Sequence, residues 1–393
     1  MAAQKVISAT RVVSLLCIDT LVVRTIQPKP NSGRSLIVRL DAIGDFVLWS
    51  NAAEALVKHF KTAGNNTVLV ANDAWADWAR KMALFDEVIP VNIVRFQNDL
   101  RYRYRLARQI RSEGFVSAVQ PTYSRVWWAG DSIIRISGAP ERIGSAGQSV
   151  QSWRTRISNR WFTRLVAAEP TMRMELIRGA EFLRNFGDTG FRAAVPHLKP
   201  AAFAPDDDFH SVSSGQPYYV LFPGASWSGR RWPLDNFRQI AERLWNRTGW
   251  LGIVAGSPAD SPLASELCNG ARAPLIDWTG RTDLPQLANL ISKAKLLVSN
   301  ETSATHIAAA ADLPSVCILG GGHFGRFLPY EAEEPLPVCA PRVATFRMPC
   351  FGCDWNCVYR PAEGVPAPCI GNVTVESVWS QIEGILASLQ EPA

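Results

Sequence analysis

The stretch LIVRLDAIGDFVLWSNAAEALVKHFK, residues 36–61, contains the alternation that decides the fold. Residues 36–40 are a short apolar run typical of a buried strand, and residues 41–45 form a polar loop. Helical periodicity then runs from Phe46 to about Lys61. Because a strand followed by a helix is the first half of a βαβ unit, whose strands lie parallel, this stretch predicts an α/β protein with a parallel sheet.

The same alternation continues through the rest of the chain. Further strands are predicted at residues 68–71, 116–120, 218–222, 251–255, 296–299 and 315–319. Helices are predicted between them at residues 99–112, 234–247, 283–293 and 303–311, with a closing helix at 375–389. Residues 186–215 are rich in Pro, Asp, Ser and Gly and are interpreted as a linker. Two βαβ blocks joined by a linker predict two Rossmann-like parallel-sheet domains that face a cleft.

The composition excludes several other classes of protein. A chain of 393 residues that is 47% hydrophobic and 19% charged can bury enough apolar surface to fold. It has no uninterrupted apolar run long enough for a spanning helix. Eight cysteines are too few for a disulfide scaffold. These features predict a cytoplasmic, globular protein.

Residues 1–33 precede the first clear strand and form an N-terminal extension. A helix is predicted from Val6 to Ile26, with Arg11 and Arg24 at its flanks. Asp19 within this segment argues against a secretory signal. Two roles stay open for the helix: packing on the body of the protein, which we favour, or lying on an anionic membrane surface.

The basic charge lies in the N-terminal half. Residues 1–214 hold 28 Lys+Arg against 19 Asp+Glu, a net +9, and residues 215–393 hold 13 against 16, a net −3. Either a coding bias towards arginine or an anionic partner explains this excess. The arginines of residues 101–111 are interpreted as a solvated helix face, which leaves Arg125 and Arg142 as the candidates for contact with an acceptor. No recognised nucleic-acid-binding module accompanies the charge, so no nucleic-acid partner is expected.

Gly44 and Asp45 form the first polar turn that follows a predicted strand. The Asp45 carboxylate at this place either acts as a general base towards a hydroxyl or caps the following helix, and spacing alone favours the cap. The turn lacks the G-x-G-x-x-G pattern of dinucleotide-binding dehydrogenases.

FPGASWSGRRWP, residues 222–233, is the second such turn. Its small residues allow close approach of the backbone, and Arg230 or Arg231 has the fork geometry to grip a diphosphate. The alternative is a surface loop with solvated arginines, or an arginine stacked on Trp232.

SNETSATHIAAA, residues 299–310, is the third turn. Thr302 and Ser303 are candidate helix caps, and the first free amides of the helix form an anion site. Glu301 could accept hydrogen bonds from ribose or sugar hydroxyls, whereas a lone helical histidine such as His306 is more often structural.

These turns, in this order, resemble glycosyltransferase family nine, the ADP-heptose:lipopolysaccharide heptosyltransferases and their relatives. The resemblance rests on RLDAIGD (39–45), PGASWSGRRWP (223–233) and WTGRTDLPQLANLISKAKLLVSNETSATHIAAA (278–310). It implies a GT-B fold, with residues 34–200 as an acceptor-side domain. Residues 201–393 would be the domain that binds the nucleotide-sugar, including a cysteine loop (350–369) and the closing helix. It also implies inverting, metal-independent sugar transfer.

The resemblance assigns roles to individual residues. Asp45 stands where the family has its catalytic base, and Arg230 where a lysine usually neutralises the donor diphosphate. Ser226 stands at a phosphate contact and Thr282 where the backbone meets the adenine. The Asp-Thr-Gly-x-x-His signature of the family corresponds to Glu301, Thr302, Ser303 and His306. Arginine for lysine, glutamate for aspartate and serine for glycine are departures that leave the sugar and the base of the donor open.

Cys350, Cys353, Cys357 and Cys369 form a cluster in the sequence. Three interpretations stay open: a structural metal site, a redox-sensitive pair, or reduced cysteines that only pack. Asp206-x-Asp208 is formally the D-x-D pattern of metal-dependent glycosyltransferases, but its place in the linker indicates a solvated acidic run.

The resemblance implies a donor such as ADP-heptose and an anionic lipopolysaccharide or surface-glycan acceptor, with no required cofactor. The protein would act at the cytoplasmic face of the inner membrane, with peripheral membrane contact. One alternative is a nucleotide-sugar 2-epimerase of the same fold, which needs no acceptor. The other is a metal-binding protein built around the cysteine cluster, without transferase activity.

Overall fold

The computed structural model describes residues 9–30, 32–147, 153–203 and 215–390. The predicted Asp206-x-Asp208 run and the start of the N-terminal extension lie outside these ranges. The described chain divides into two compact units. The first unit contains the residues up to Thr171, except Val47–Ser50, and also Arg178–Phe191. The second unit contains Val47–Ser50, Met172–Ile177 and the residues from Arg192 onward.

The first unit is built on a parallel sheet of six strands in the order β3-β2-β1-β4-β5-β6. Its strands are β1 (Arg34–Arg39), β2 (Asn66–Asn72), β3 (Glu87–Val91), β4 (Ser117–Gln120), β5 (Glu141–Ser145) and β6 (Arg164–Val166). The helices along this part of the chain are α1 (Ala9–Thr25), α2 (Ile43–Thr62), α3 (Asp73–Lys81), α4 (Ile93–Asn98), α5 (Leu100–Glu113), α6 (Ser132–Ser137), α7 (Trp153–Asn159) and α8 (Glu175–Phe186).

The second unit repeats this plan, with a parallel sheet in the order β12-β11-β10-β7-β8-β9. Its strands are β7 (Tyr218–Phe222), β8 (Leu251–Val254), β9 (Leu275–Asp277), β10 (Leu297–Asn300), β11 (Ser315–Ile318) and β12 (Arg342–Ala344). Its helices are α9 (Leu234–Thr248), α10 (Ser261–Gly270), α11 (Leu284–Ser292), α12 (Ser303–Ala310), α13 (Pro368–Gly371) and α14 (Val375–Gln390).

The two parallel sheets confirm the predicted α/β class. The central strands were visible in the sequence because both of their faces are covered, so they are continuous apolar runs. Leu36, Ile37 and Val38 of β1, for example, are almost completely buried. Five strands contain no such apolar run and were not predicted, because they are short or carry charged residues. They are β3, β5, β6, β9 and β12. All of them except β5 lie in the outer positions of the two sheets.

Helix α1 packs on the first unit, as favoured from the sequence, and a buried ion pair fixes it there. The Asp19 carboxylate receives hydrogen bonds from Arg103 of α5, with Nε–Oδ1 2.7 Å and Nη2–Oδ2 2.6 Å. Arg103 Nη2 also donates to the Ser132 hydroxyl, and both charged side chains are only 1% exposed. None of the helices in the described ranges is long and apolar enough to cross a membrane.

The predicted solvated arginine face of α5 is confirmed with two exceptions. Arg101, Arg105 and Arg108 are exposed, and they lie on one side of the helix. Arg103 is the first exception, because it points into the protein and its guanidinium also donates to the Phe96 carbonyl oxygen. Arg111 is the second, because it is half-buried and donates to the Ile26 and Val23 carbonyl oxygens.

We expect Arg103→Met to lower the free energy of unfolding by about 3–5 kcal/mol, because it leaves the Asp19 carboxylate buried without its counter-charge. Urea unfolding followed by circular dichroism measures the change. Arg101→Met on the exposed face is the matched control, with an expected change within about 0.5 kcal/mol. Equal losses in the two variants would contradict the structural role of the ion pair.

Candidate functional site

The loop between β1 and α2, which carries Asp45, is held by three neighbouring elements. Arg39 at the end of β1 donates from Nε to Asp41 Oδ1 at 2.8 Å. Asn72 at the end of β2 donates to the Asp41 carbonyl oxygen at 3.2 Å, and the indole N–H of Trp75 in α3 donates to the same oxygen at 2.9 Å. The loop at the carboxyl end of β1 is therefore tied to its surroundings from several sides.

Asp45 is not the N-cap residue of α2, contrary to the interpretation that spacing favoured. The helix begins at Ile43, Ala42 occupies the N-cap position, and Asp45 lies inside the first turn. The polar loop is shorter than expected because Ile43 and Gly44 already adopt helical geometry. The half-buried Asp45 lies at the carboxyl edge of the first sheet, which is where parallel α/β sheets bind ligands.

In the second unit, the buried Asn300 joins the loop after β7 to the end of β10. Its side-chain amide donates from Nδ2 to the Pro223 carbonyl oxygen at 2.6 Å. Its Oδ1 atom accepts from the backbone N–H of Trp232 at 3.1 Å. The two contacts hold both ends of the loop 223–232, so Arg230 lies beside the turn that follows β10.

Arg230 and Glu301 face each other at this strand end. Arg230 Nη2 donates to the Glu301 carbonyl oxygen at 2.6 Å and lies 3.5 Å from the Glu301 carboxylate oxygen Oε2. Ser226 lies on the other side of the guanidinium, with Nη1–Oγ 3.5 Å. Arg231 instead donates to the Ala225 carbonyl oxygen of its own loop. Of the two candidate arginines, Arg230 thus stands in the polar cluster.

The Arg230–Glu301 pair is incompletely satisfied. Arg230 Nε and Glu301 Oε2 are both buried, and neither has a hydrogen-bond partner among the described residues. Buried polar atoms are normally paired, since an unpaired one costs roughly 1–3 kcal/mol. The cluster therefore presents an unused donor and an unused acceptor, an arrangement that suits a ligand with both anionic oxygens and hydroxyl groups.

Helix α12 begins directly after Glu301. Thr302 is its N-cap, and Oγ1 accepts from the Ala304 amide at 3.3 Å, which confirms Thr302 as a cap. Ser303 is the first helical residue and is half-buried. The N-terminus of this helix contributes partial positive charge beside the arginine.

His306 is a buried residue of α12, and its side chain packs against Tyr330. Its Nδ1 atom lies 2.8 Å from the Tyr330 hydroxyl oxygen. Burial lowers the pKa of His306 to about 4 and raises the pKa of Tyr330, so the pair is neutral near pH 7. This environment matches the structural role that is usual for a buried histidine.

Thr282 lies apart from Arg230, on the loop between β9 and α11. This loop is held by the Gly280 amide, which donates to the Gly256 carbonyl oxygen at 3.0 Å, and by Asp283, the N-cap of α11. Three strand spacings, about 14 Å, separate β9 from β10 along the same edge of the sheet.

The side chains of Arg125 and Arg142 both make contacts within the first unit. Arg125 pairs with Asp131 at 3.5 Å and is only 4% exposed; burial lowers the pKa of Arg125 and raises that of Asp131. Arg142 was expected after a strand or turn, but it is the second residue of β5, at the amino end of the parallel sheet. Its guanidinium donates from Nε to the Trp161 carbonyl oxygen at 2.6 Å.

The cysteine cluster does not form a metal site within the described part of the chain. All four thiols are free, and no group of three or more Cys, His, Asp or Glu side chains there is arranged to hold an ion. Burial raises the pKa of Cys353 and Cys369, and the neighbouring thiols raise it further. No reaction step is therefore assigned to a metal at these residues.

Three residues around the Arg230–Glu301 cluster were missed in the sequence: Trp355 faces Arg230, His323 faces Glu301, and Asp354 accepts a hydrogen bond from His323. They come together because Gly320, Gly321 and Gly322, directly after β11, let the cysteine loop approach the strand end closely. The run of three glycines after a buried strand was the available signal, since glycine at such a place marks close approach of another segment.

Similar solved structures define the fold class. The E. coli ADP-heptose lipopolysaccharide heptosyltransferase II superposes with a TM-score of 0.63 at 16% identity, covering 91% of this chain and 100% of that one. The family 9 glycosyl transferase from Veillonella parvula superposes with a TM-score of 0.66 at 16% identity, covering 90% and 97%. The fold is therefore that of the GT-B glycosyltransferases, with two Rossmann-like domains.

The sequence narrows the class to one family. The profile described as "Glycosyltransferase family 9 (heptosyltransferase)" matches residues 133–347, more than half of the chain, so the protein belongs to this family. Lipopolysaccharide heptosyltransferase 1 of Pseudomonas aeruginosa is 28% identical over 157 residues, which are 38% of this chain and 40% of the relative. The match thus spans less than half the length of that relative.

We expect the stability of the protein to fall between pH 6.5 and pH 4 because of His306. In the unfolded chain the imidazole takes up a proton near pH 6.5, whereas in the folded protein it does so only near pH 4. Acidification through this window therefore favours the unfolded state, by up to about 3 kcal/mol.

Urea unfolding of the wild type and of His306→Asn at a series of pH values measures this contribution. The variant should lose less stability on acidification, since asparagine keeps a partner for Tyr330 but takes up no proton. His197→Gln, which changes an exposed histidine, is the control. If the curves of the wild type and His306→Asn stay parallel, His306 is not held neutral by the fold.

Proposed function

We propose that this protein is an inverting, metal-independent glycosyltransferase that moves a sugar from a nucleoside-diphosphate sugar to a hydroxyl of an acceptor. The observation that carries the proposal is the buried Arg230–Glu301 cluster at the carboxyl edge of the second sheet, with its unused donor and acceptor atoms. Membership of family 9 and the name of the Pseudomonas relative, a lipopolysaccharide heptosyltransferase, support the same reaction class.

The donor diphosphate binds at Arg230 in this proposal. The guanidinium and the N-terminus of α12 supply fixed positive charge where the leaving diphosphate becomes more negative, which is the role a metal ion has in other transferases. Ser226, Thr302 and Ser303 provide hydroxyl and amide groups around the phosphates. Glu301 accepts hydrogen bonds from hydroxyl groups of the donor, which would satisfy its unpaired oxygen.

The nucleoside extends from the diphosphate towards Thr282, whose backbone meets the base. The separation of about 14 Å between the ends of β9 and β10 leaves room for the ribose between the two places. We favour adenine as the base and a heptose as the sugar, as in the names of the family 9 relatives. His306 supports this region by fixing α12 against Tyr330.

The acceptor side belongs to residues 34–200 in this proposal, and Asp45 is the catalytic base. The carboxylate takes the proton from the acceptor hydroxyl as its oxygen forms a bond to the anomeric carbon. The bond from that carbon to the diphosphate breaks in the same displacement, so the configuration inverts. Arg125 and Arg142 remain acceptor-binding candidates only if their present buried contacts open.

An anionic glycan or glycolipid, such as a lipopolysaccharide precursor, is the acceptor that we favour. The net charge of +9 on residues 1–214 suits such a partner, and the exposed Arg101, Arg105 and Arg108 contribute to it. We place the reaction at the cytoplasmic face of the membrane that carries the acceptor, with peripheral contact only.

We expect Asp45→Asn to lower kcat for transfer by about 10²–10⁴-fold, because the amide cannot accept the proton. Donor binding should stay within about threefold, since Asp45 is assigned to the acceptor. Product formation by mass spectrometry measures transfer, and calorimetry measures binding of ADP. Transfer that continues at the wild-type rate, or nucleotide release that needs no acceptor, would contradict the assignment; the second result would favour a 2-epimerase.

We expect Arg230→Met to weaken ADP binding by about ten- to a hundredfold, since charge-assisted hydrogen bonds to the phosphates are lost. Arg230→Lys, which keeps the charge, should lose less. Arg247→Met, at the exposed end of α9, is the control and should bind ADP like the wild type. A panel of ADP, UDP and GDP in excess EDTA identifies the base; binding that requires a metal, or that is unchanged in Arg230→Met, would contradict this donor site.

A further inference from the structure

The cysteine loop places an aromatic ring on Arg230. The Arg230 guanidinium carbon lies 5.1 Å from the centre of the Trp355 ring, within the range of a cation–π contact. Trp227 of the arginine's own loop packs edge-on against the same ring, with centroids 5.8 Å apart. Arg230 is therefore held by Trp355 as well as by the Glu301 carbonyl oxygen.

The end of β11 is shaped to receive Trp355. A Cβ atom on Gly322 would lie 2.3 Å from the indole, and one on Gly320 would lie 2.5 Å from it. The backbones of the two segments are also joined, because the Asp354 amide donates to the Gly322 carbonyl oxygen at 3.0 Å. Any side chain at these glycines would displace the ring from Arg230.

A chain of hydrogen bonds orients the indole. The Trp355 Nε1–H group can only donate, and His323 Nδ1 lies 3.2 Å away, so Nδ1 is the acceptor. The neutral His323 ring then carries its proton on Nε2, which donates to Asp354 Oδ1 at 3.0 Å. His323 is 5% exposed, whereas the Asp354 side chain is largely exposed. The buried histidine thus binds both the indole and the neighbouring Asp354 side chain, which fixes the orientation of the indole.

The same histidine faces Glu301. His323 Nδ1 lies 3.6 Å from Glu301 Oε1, but both atoms are acceptors in this arrangement and do not bond each other. The Glu301 carboxylate therefore keeps its capacity to accept hydrogen bonds from a ligand. Trp355 and His323 together border the Arg230–Glu301 cluster.

We propose that Trp355 and His323 are positioning residues of the donor site, which hold the Arg230 guanidinium in the orientation that binds a nucleoside diphosphate. This inference rests on the proposed function, because it assigns the diphosphate to Arg230. It gives the cysteine loop, through Trp355, a role in donor binding. Trp355 acts through Arg230, and His323 acts through Trp355.

The test is calorimetric titration of the full chain with ADP, UDP and GDP, and with the corresponding monophosphates. We expect Trp355→Ala to weaken binding of the preferred diphosphate roughly three- to thirtyfold, the range of a partly buried cation–π contact. The monophosphate, which lacks the second phosphate, should bind nearly as it does to the wild type. In transfer assays kcat and the donor KM should change, whereas the acceptor KM should not.

Conservative variants keep the test valid if Trp355→Ala does not fold. Trp355→Phe keeps an aromatic face and should lose less affinity than alanine. His323→Asn keeps an acceptor near the place of Nδ1 and should bind more tightly than His323→Leu. Tyr359→Ala, an exposed aromatic of the same loop, is the matched control and should bind like the wild type.

The outcomes separate this inference from the proposed function. The positioning role is wrong, and the donor site stands, if the folded Trp355→Ala and His323→Leu variants bind the diphosphate like the wild type. Where Trp355→Ala does not fold, Trp355→Phe replaces it in this comparison. Equal losses for the diphosphate and the monophosphate would also overturn it. If the wild type binds none of the three diphosphates, the proposed function fails and this inference fails with it.

Discussion

The buried side chain of Asn300 is the contact on which the candidate donor site depends. Loops at strand ends are joined to the sheet only at their bases, and a loop of ten residues has many conformations of similar free energy. Asn300 reduces them by bonding Pro223 at one end of the loop and Trp232 at the other. Because the amide is completely buried, its bonds have no competition from water. Arg230 reaches Glu301 as a consequence.

The arginines of this protein divide into two groups by their surroundings. Arg103 donates to the buried Asp19 carboxylate, Arg125 forms an ion pair with Asp131, and Arg142 donates to the Trp161 carbonyl oxygen, so all three contribute to the fold of the first unit. Part of the basic charge in the N-terminal half is therefore structural, and charge counted along the sequence overstates what a partner would meet. Arg230 differs, because it lies in the second unit, beside the turn that follows β10 and the N-terminus of α12.

The resemblance to family nine implies a lysine where Arg230 stands, and the aromatic contact gives a physical reason for arginine at this place. A planar guanidinium can stack on an indole while its edge remains available for hydrogen bonds, whereas an ammonium group is a compact point charge. Arginine is therefore the better match for Trp355, which the cysteine loop brings to this place. The glycines after β11 complete the arrangement, since they allow that loop to lie against the strand end.

The sequence by itself determined the α/β class, the covered strands and the three polar turns at strand ends. Buried parallel strands are apolar on both faces, and amphipathic helices repeat their apolar residues every three to four positions. Both patterns can therefore be recognised from the order of the residues alone. Only the tertiary structure decided that Asn300 joins two loops, that Arg103 is buried among exposed arginines, and that His323 and Trp355 border Arg230. These contacts join residues up to about 125 positions apart in the chain, and their partners are chosen by packing, which no local pattern encodes.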